Sequence, residues 1–286
     1  TGIAVAFPRS PMVSAAVAYE LADNTGGRFR LGLGSQVKAH IERRYSAEFD
    51  RPAARLRDYV QAVQACWRAF NREERLAHDG EFYQMSLLPR DWSPKAHDHP
   101  MKVDISAVGP IMTRVAGEVA DGVHVHPLHS MPYIENRLKP DLAKGAAKAS
   151  RSVDDIDLII PVFACPGDTP EEREPYVAHA KRQIAFYGST PNYAFQFDDL
   201  GYEGTTQRIR AKMKAGDLDT LGDEITDEML NQYGLMTNWD DMADQLLERY
   251  KGTASRVVMY LGTQQIRTDD QHLGKWAEVA RAVRNG

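Results

Sequence analysis

Residues 103–126, VDISAVGPIMTRVAGEVADGVHVH, decide how the chain folds. The run 103–108 is short, apolar and β-branched, as a buried strand is. Gly109-Pro110 breaks it, and Pro110 suits a first helical position, where its fixed φ fits and no N–H is needed. Residues 111–120 continue at helical spacing, with Ile111, Val115 and Val119 on one apolar stripe. Asp121-Gly122 is a turn, and 123–126 is a second strand. Strand, helix and strand in that order make a parallel βαβ unit. Its turn, Ser106, Ala107, Val108 and Gly109, has small side chains and leaves helix N-terminal amides free, so an anion can sit there. The plainer reading is a tight βα loop that binds nothing.

Working outward, the same alternation recurs. Residues 1–7 (TGIAVAF) read as a strand, 12–21 as a helix with Ser10 as its cap, and 29–33 as the next strand, leaving through Gly34, Ser35 and Gln36. Residues 51–70 form the clearest helix, with Pro52 near its start and Leu56, Tyr59, Val60, Val63, Trp67 and Phe70 on one face. Further strands are expected at 156–164 and 256–261, and helices at 133–149, 169–187, 240–250 and 273–283. A hairpin is expected around Asp79-Gly80 in LAHDGEFYQM. Six strands one helix apart imply a parallel sheet, either a barrel or a doubly wound sheet. No GxGxxG follows a strand, so the barrel is favoured. The expectation is one domain over 1–286, with a polar insertion at about 71–100 and a charged helical excursion at about 188–231 that covers the barrel mouth or a partner. Both segments lack apolar periodicity and should be more mobile than the strands.

Of 286 residues, 43% are hydrophobic, and 35 basic against 40 acidic residues give a net charge of −5. No basic run stands out, which argues against nucleic acid as a partner. No run of 18 apolar residues or signal pattern occurs, so no membrane association is expected. Cys66 and Cys165 lie far apart, and reduced, buried thiols in a cytoplasmic setting are the expectation.

In a barrel the active site gathers at the C-terminal ends of the strands. There, Arg9, Lys38, His40, the histidines and Asp168 are the groups able to carry charge or protons. That set is poor for hydrolysis by paired carboxylates and adequate for holding a cofactor that does the chemistry itself. His124 and His126 alternate on a strand and share a face, but only Asp168 is placed to add a ligand. Packing or cofactor contact, not a metal, is expected for each ring, and His97 and His99 are expected to be solvated.

Three stretches carry a resemblance. GGRFRLGLGSQVKAHIERRYS (26–46) followed by PAARLRDYVQAVQACWRAF (52–70), ISAVGPIMTRVAGEVADGVHVHP (105–127) and RQIAFYGSTPNY (182–193) resemble the bacterial luciferase-like family, in its actinobacterial branch using the deazaflavin coenzyme F-420. The likeness runs from Thr1 to about Leu261. It implies a (β/α)8 TIM-type barrel with a flavin or deazaflavin across the C-terminal face, hydride transfer at its central ring, a small-molecule substrate and a homodimer. By this resemblance Ser106, Ala107, Val108 and Gly109 match the loop whose amides hold the cofactor phosphate. Gly34, Ser35 and Gln36 match the strand exit beside the ring system, and His126 the strand end near the cofactor tail. Gly2 and Ile3 align with a non-prolyl cis peptide that buttresses the ring. The chain departs from the pattern at its start: Thr1 aligns with the third strand, so the expectation is a barrel lacking its first two strands here, with 1–7 and 256–261 at its borders. In the family the second of those strands usually supplies an acidic or histidine residue near the reacting carbon, so no catalytic residue is named. The resemblance implies an oxidoreductase moving hydride between coenzyme F-420 and a small organic substrate. The alternatives are a two-component monooxygenase using FMN and a cofactor-binding remnant without turnover.

Overall fold

The structure, a computed structural model, describes residues 1–260 and 270–286. The last residue of the strand expected at 256–261 lies outside the described residues. The chain forms two compact units, Thr1–His124 with Leu138–Leu158, and Val125–Arg137 with Ile159–Gly286.

The first unit runs through β1 (Ala4–Val5), α1 (Pro11–Asn24), β2 (Leu31–Gly34), α2 (Lys38–Tyr45) and α3 (Pro52–Phe70). A hairpin of β3 (His78–Asp79) and β4 (Gln84–Met85) follows, then β5 (Val103–Ala107), α4 (Pro110–Val119), β6 (Gly122–Val125), whose last residue opens the second unit, and α5 (Lys139–Lys148). β1 pairs parallel with β2, Ala4 opposite Leu33, and β2 pairs parallel with β5, Leu33 opposite Ile105. β6 lies beside β5, so the βαβ unit read from residues 103–126 is present.

Strand alternation sorts these residues onto two faces. Leu31, Leu33, Val103, Ile105 and Val123 are buried on one, and Arg30, Gly32, Gly34, Asp104, Ser106, Gly122 and His124 share the other. Outside the apolar face, α1 docks on α3 through Ser14 Oγ and Tyr59 Oη at 2.6 Å and through the Trp67 indole N–H, which donates to the Ala15 carbonyl at 3.1 Å. α4 meets α5 at glycines: a Cβ on Gly117 would strike the Leu142 carbonyl, and one on Gly145 the Arg114 carbonyl. The expected α4 stripe holds only in part. Val115 and Val119 are buried, but Ile111 is 67% exposed, because it sits on the first turn, beyond the end of the strands the helix covers.

The second unit contains most of β7 (Asp157–Pro166), then α6 (Pro170–Gly188), α7 (Thr205–Ala215), α8 (Asp227–Tyr233), β8 (Gly234–Thr237), α9 (Met242–Tyr250), β9 (Arg256–Met259) and α10 (Asp270–Asn285). β8, a four-residue strand opening on a glycine, was not among the expected strands. It pairs parallel with the second half of β7, Phe163 opposite Gly234, and β9 pairs parallel with the first half, Ile159 opposite Arg256. Among the described strands β9 pairs with β7 alone, which fits the border position expected for 256–261. The excursion at 188–231 does have apolar anchors. Phe197, Ile209, Ile225 and Leu230 are essentially fully buried, scattered singly over short helical pieces where no periodicity reveals them. Among the described residues no helix is long and apolar enough to cross a membrane.

Candidate functional site at the strand ends

Three of the residues singled out in the sequence converge in the first unit. The Gly2–Ile3 peptide bond is cis. A Cβ on Gly34 would collide with Ile3 Cδ1 and come within 2.6 Å of Ser106 Oγ, so Ile3, Gly34 and Ser106 form one close-packed layer across β1, β2 and β5. Beyond Gly34 the chain turns sharply. Gln36 takes a left-handed φ of 57°, and its side-chain oxygen accepts from the Val37 amide at 2.9 Å, while Ser35 is half-buried.

The loop from Ser106 through Ala107 and Val108 ends at Gly109, the N-cap of α4. Gly109 has an ordinary φ of −82°, makes no side-chain cap, and a Cβ there would meet nothing within 4 Å. Thr113 secures the turn by donating from its amide and hydroxyl to the Gly109 carbonyl, each at 3.0 Å. The first N–H groups of a helix have no partner within it, so this end favours an anion.

Deeper on the same face lies a charge cluster that the sequence reading missed. Asp104 is 1% exposed and accepts two hydrogen bonds from Arg30, Nε to Oδ2 at 2.9 Å and Nη2 to Oδ1 at 2.5 Å. Arg30 also donates from Nη1 to Asp157 at 2.7 Å, and Lys102 donates to the same Asp157 oxygen at 3.2 Å. The hydrogen bonds that Arg30 donates to Asp104 hold its guanidinium firmly protonated against the opposing effect of burial. His124 Nε2 lies 3.7 Å from Asp104 Oδ2. Its ring occupies space left by two glycines: a Cβ on Gly2 would come within 2.9 Å of the ring and one on Gly32 within 2.7 Å. The available signal was period two, since Arg30, Gly32 and Gly34, then Asp104 and Ser106, then Gly122 and His124 occupy alternate positions.

His126 belongs to the second unit. Its ring meets Tyr187 edge-on and Tyr193 at a tilt, both centroids 4.8 Å away, and its Nδ1 accepts from the Leu128 amide at 3.1 Å. The segment 182–193 supplies both tyrosines. Burial, then His129, pushes the His126 imidazole down to about 4, and burial does the same to His129. Asp168, weighed as a metal ligand, instead accepts from the Trp239 amide at 3.2 Å and the Lys275 ammonium at 3.4 Å. Among the described residues no group of three or more His, Cys, Asp or Glu could hold a metal ion. His97 is not solvated as expected: it stacks on Tyr19 with centroids 3.9 Å apart. Both cysteines are free and buried, and burial pushes each thiol up to about 12, which leaves neither a nucleophile at neutral pH.

Parallel strands with helices between them, glycines at the strand ends and a helix N-terminus without a side-chain cap define an α/β protein. The luciferase-like monooxygenase family profile matches residues 1–256, and the chain belongs to that family. It is 35% identical over 259 residues to an uncharacterized protein of Mycobacterium tuberculosis, covering 90% of this chain and 76% of the relative. It is 25% identical over 277 residues to a putative coenzyme F-420-dependent oxidoreductase of the same organism, covering 91% and 78%. The coenzyme F-420-dependent tetrahydromethanopterin reductase of Methanopyrus kandleri superposes with a TM-score of 0.67 at 20% identity, over 90% of this chain and 75% of that one, a likeness of fold. The protein is thus a luciferase-like oxidoreductase with the α/β fold of that family's TIM-barrel proteins.

Proposed function

We propose that the protein transfers a hydride between coenzyme F-420 and a small organic substrate, with Ser106, Ala107, Val108 and Gly109 holding the coenzyme's phosphate. One observation carries this reading. Gly109 is a glycine that neither its backbone conformation nor its packing requires, at the N-cap of a ten-residue helix whose end is uncapped by any side chain. Such an end suits a phosphate, since bare amides approach it closely and the helix dipole adds about 0.3–1 kcal/mol. The nearest acid on β5, Asp104, is buried and neutralised by Arg30, so it opposes an anion little. In this reading Gly2, Ile3, Gly34, Ser35 and Gln36 flank the ring system. The 25% identical relative, by its name, supports the deazaflavin.

The coenzyme, when bound, supplies the hydride chemistry; the chain's part at this loop is to bind and orient. Ile3, Gly34 and Ser106 present a closely packed surface that cannot yield without displacing a strand. Titration with coenzyme F-420 and with FMN tests the assignment. Binding of F-420 is expected, and Gly109→Asp should weaken it at least tenfold, about 1.4 kcal/mol, by adding a repelling charge. The melting curve should not fall, because the new side chain enters open space and aspartate is a good N-cap. A variant that melts normally and binds like the parent removes the loop from the site. A parent that binds FMN and not F-420 favours the monooxygenase reading.

A further inference from the structure

We propose that Gln196 is the recognition group of a small-molecule subsite in the second unit, and that its ligand is a neutral carboxamide, which sets a hydrogen-bond donor beside an acceptor. The subsite goes beyond the coenzyme reading and does not depend on it. Gln196 is 2% exposed, and among the described residues neither its side-chain nitrogen nor its side-chain oxygen has a hydrogen-bond partner. No other described side chain buries both a donor and an acceptor unmatched. An amide so placed weakens the fold, and native proteins keep few of them. A methionine would fill the same space without that penalty, so the amide is suited to a partner that meets both of its atoms.

The backbone around the amide is fixed. The Gln196 carbonyl accepts from the Tyr233 hydroxyl at 2.7 Å. Phe197 is fully buried, meets the Tyr233 ring edge-on at 5.6 Å, and lies so close over Gly188 that a Cβ there would collide with it. On the other side, Phe195 stands 5.8 Å from the Tyr133 ring, with the Arg137 guanidinium 5.0 Å over its face. Such support suits recognition, because a residue already held in place loses little freedom on binding. The cover is thin. Gln196 sits on Phe195–Asp198, a helix of four residues that follows the three-residue turn Pro191–Tyr193, and pieces this short open locally at low cost.

The charges nearby select a neutral ligand. Asp198 and Asp199 follow Gln196 directly in the chain, and Arg137 is taken up by Asp199, donating at 2.6 Å. Burial, then Tyr202 and the two aspartates, raise the Tyr233 pKa, so its hydroxyl stays uncharged. A carboxylate has acceptors only, and would leave the Gln196 oxygen unmatched near two acids. A carboxamide matches both atoms at once.

Nitrogen–proton NMR of the protein labelled at glutamine tests this, with Gln196→Met identifying the signal. Propanamide and propanoate are the probes, alike in size and unlike in charge. The Gln196 side-chain NH2 pair should shift saturably with propanamide, with a Kd of about 1–10 mM, within the reach of so small a ligand. It should not move with propanoate. Propanamide should also raise the melting temperature of the parent and leave that of Gln196→Met unchanged. Gln196→Met itself should melt higher than the parent, because it removes an unmatched buried amide and nearly keeps the volume. A variant that melts lower shows an amide already satisfied by the fold, and overturns the proposal. So does a response to propanamide that persists in the variant, or an equal shift with propanoate. A parent signal that propanamide leaves in place also overturns it, and marks an amide met by solvent alone. Should Gln196→Met fail to fold, the parent spectra decide together with Gln196→Asn, whose amide is drawn back by one methylene and should bind propanamide at least about tenfold more weakly. None of these results touches coenzyme F-420 binding, so a failure here leaves the proposed function standing.

Discussion

At the scale of single residues, two glycines at the strand ends do opposite jobs. Gly34 is a packing glycine, closed over by Ile3 and Ser106, whereas Gly109 stands in open space. Gly34→Ala should therefore cost about 1–3 kcal/mol of stability through overpacking, read as a lower urea midpoint with unchanged m. No loss would mean the layer is looser than its geometry. The sequence picked out both glycines but could not tell their roles apart, because each simply reads as a small residue in a loop. It also passed over Asp104 and Arg30, 74 positions apart, since a charge inside an apolar run is noticed only once register brings its partner alongside.

At the scale of elements, the hairpin of β3 and β4 shows how a polar insertion is fastened. Asp58, buried on α3, accepts from the Phe82 amide at 2.6 Å, the Tyr83 amide at 3.1 Å and His78 Nε2 at 2.7 Å. Gly80 lets the turn settle on that carboxylate, where a Cβ would collide with Oδ1. Arg55 Nε on the same helix also donates to the Tyr83 hydroxyl at 3.1 Å, and polar contacts of this kind leave no apolar stripe in 71–100 to announce them. Asp58→Ala leaves the half-buried Phe82 and Tyr83 amides and His78 without their acceptor and should cost about 2–4 kcal/mol. Hydrogen exchange should rise selectively over 78–85. Protection there equal to the parent's would show that the hairpin is held by something else. Long periodic elements such as α3 were legible to within a residue; β8 was not, because four residues opening on glycine carry too little pattern.

At the scale of the whole molecule, alternating strands and helices were legible because burying parallel strands demands it, while the pairing of β8 with the second half of β7 was not, since so short a strand leaves no local mark. Acid stability draws on groups equally invisible in the sequence. His126 and His129 titrate near 4 in the folded chain, against about 6.5 when exposed, because burial opposes their charging. The unfolded chain therefore binds more protons between those values, and the stability these histidines lend is complete above pH 6.5 and lost as pH falls toward 4. Each ring contributes about 3 kcal/mol to that loss. Glu172 takes over at lower pH. Burial opposes its ionisation, but the Asp168 amide, the Trp239 indole and Lys275 together hold it at about 2, so its contribution is lost between 4.5 and 2. Urea unfolding from pH 7 to pH 3 should show stability declining first through the histidine window and then through the carboxylate one. His129→Gln should flatten the first decline and leave the second in place. A parent whose stability stays level from pH 6.5 to 4.5 would mean that these imidazoles gain protons in the folded state as readily as in the unfolded one, and that His126 is not the locked neutral ring its contacts describe.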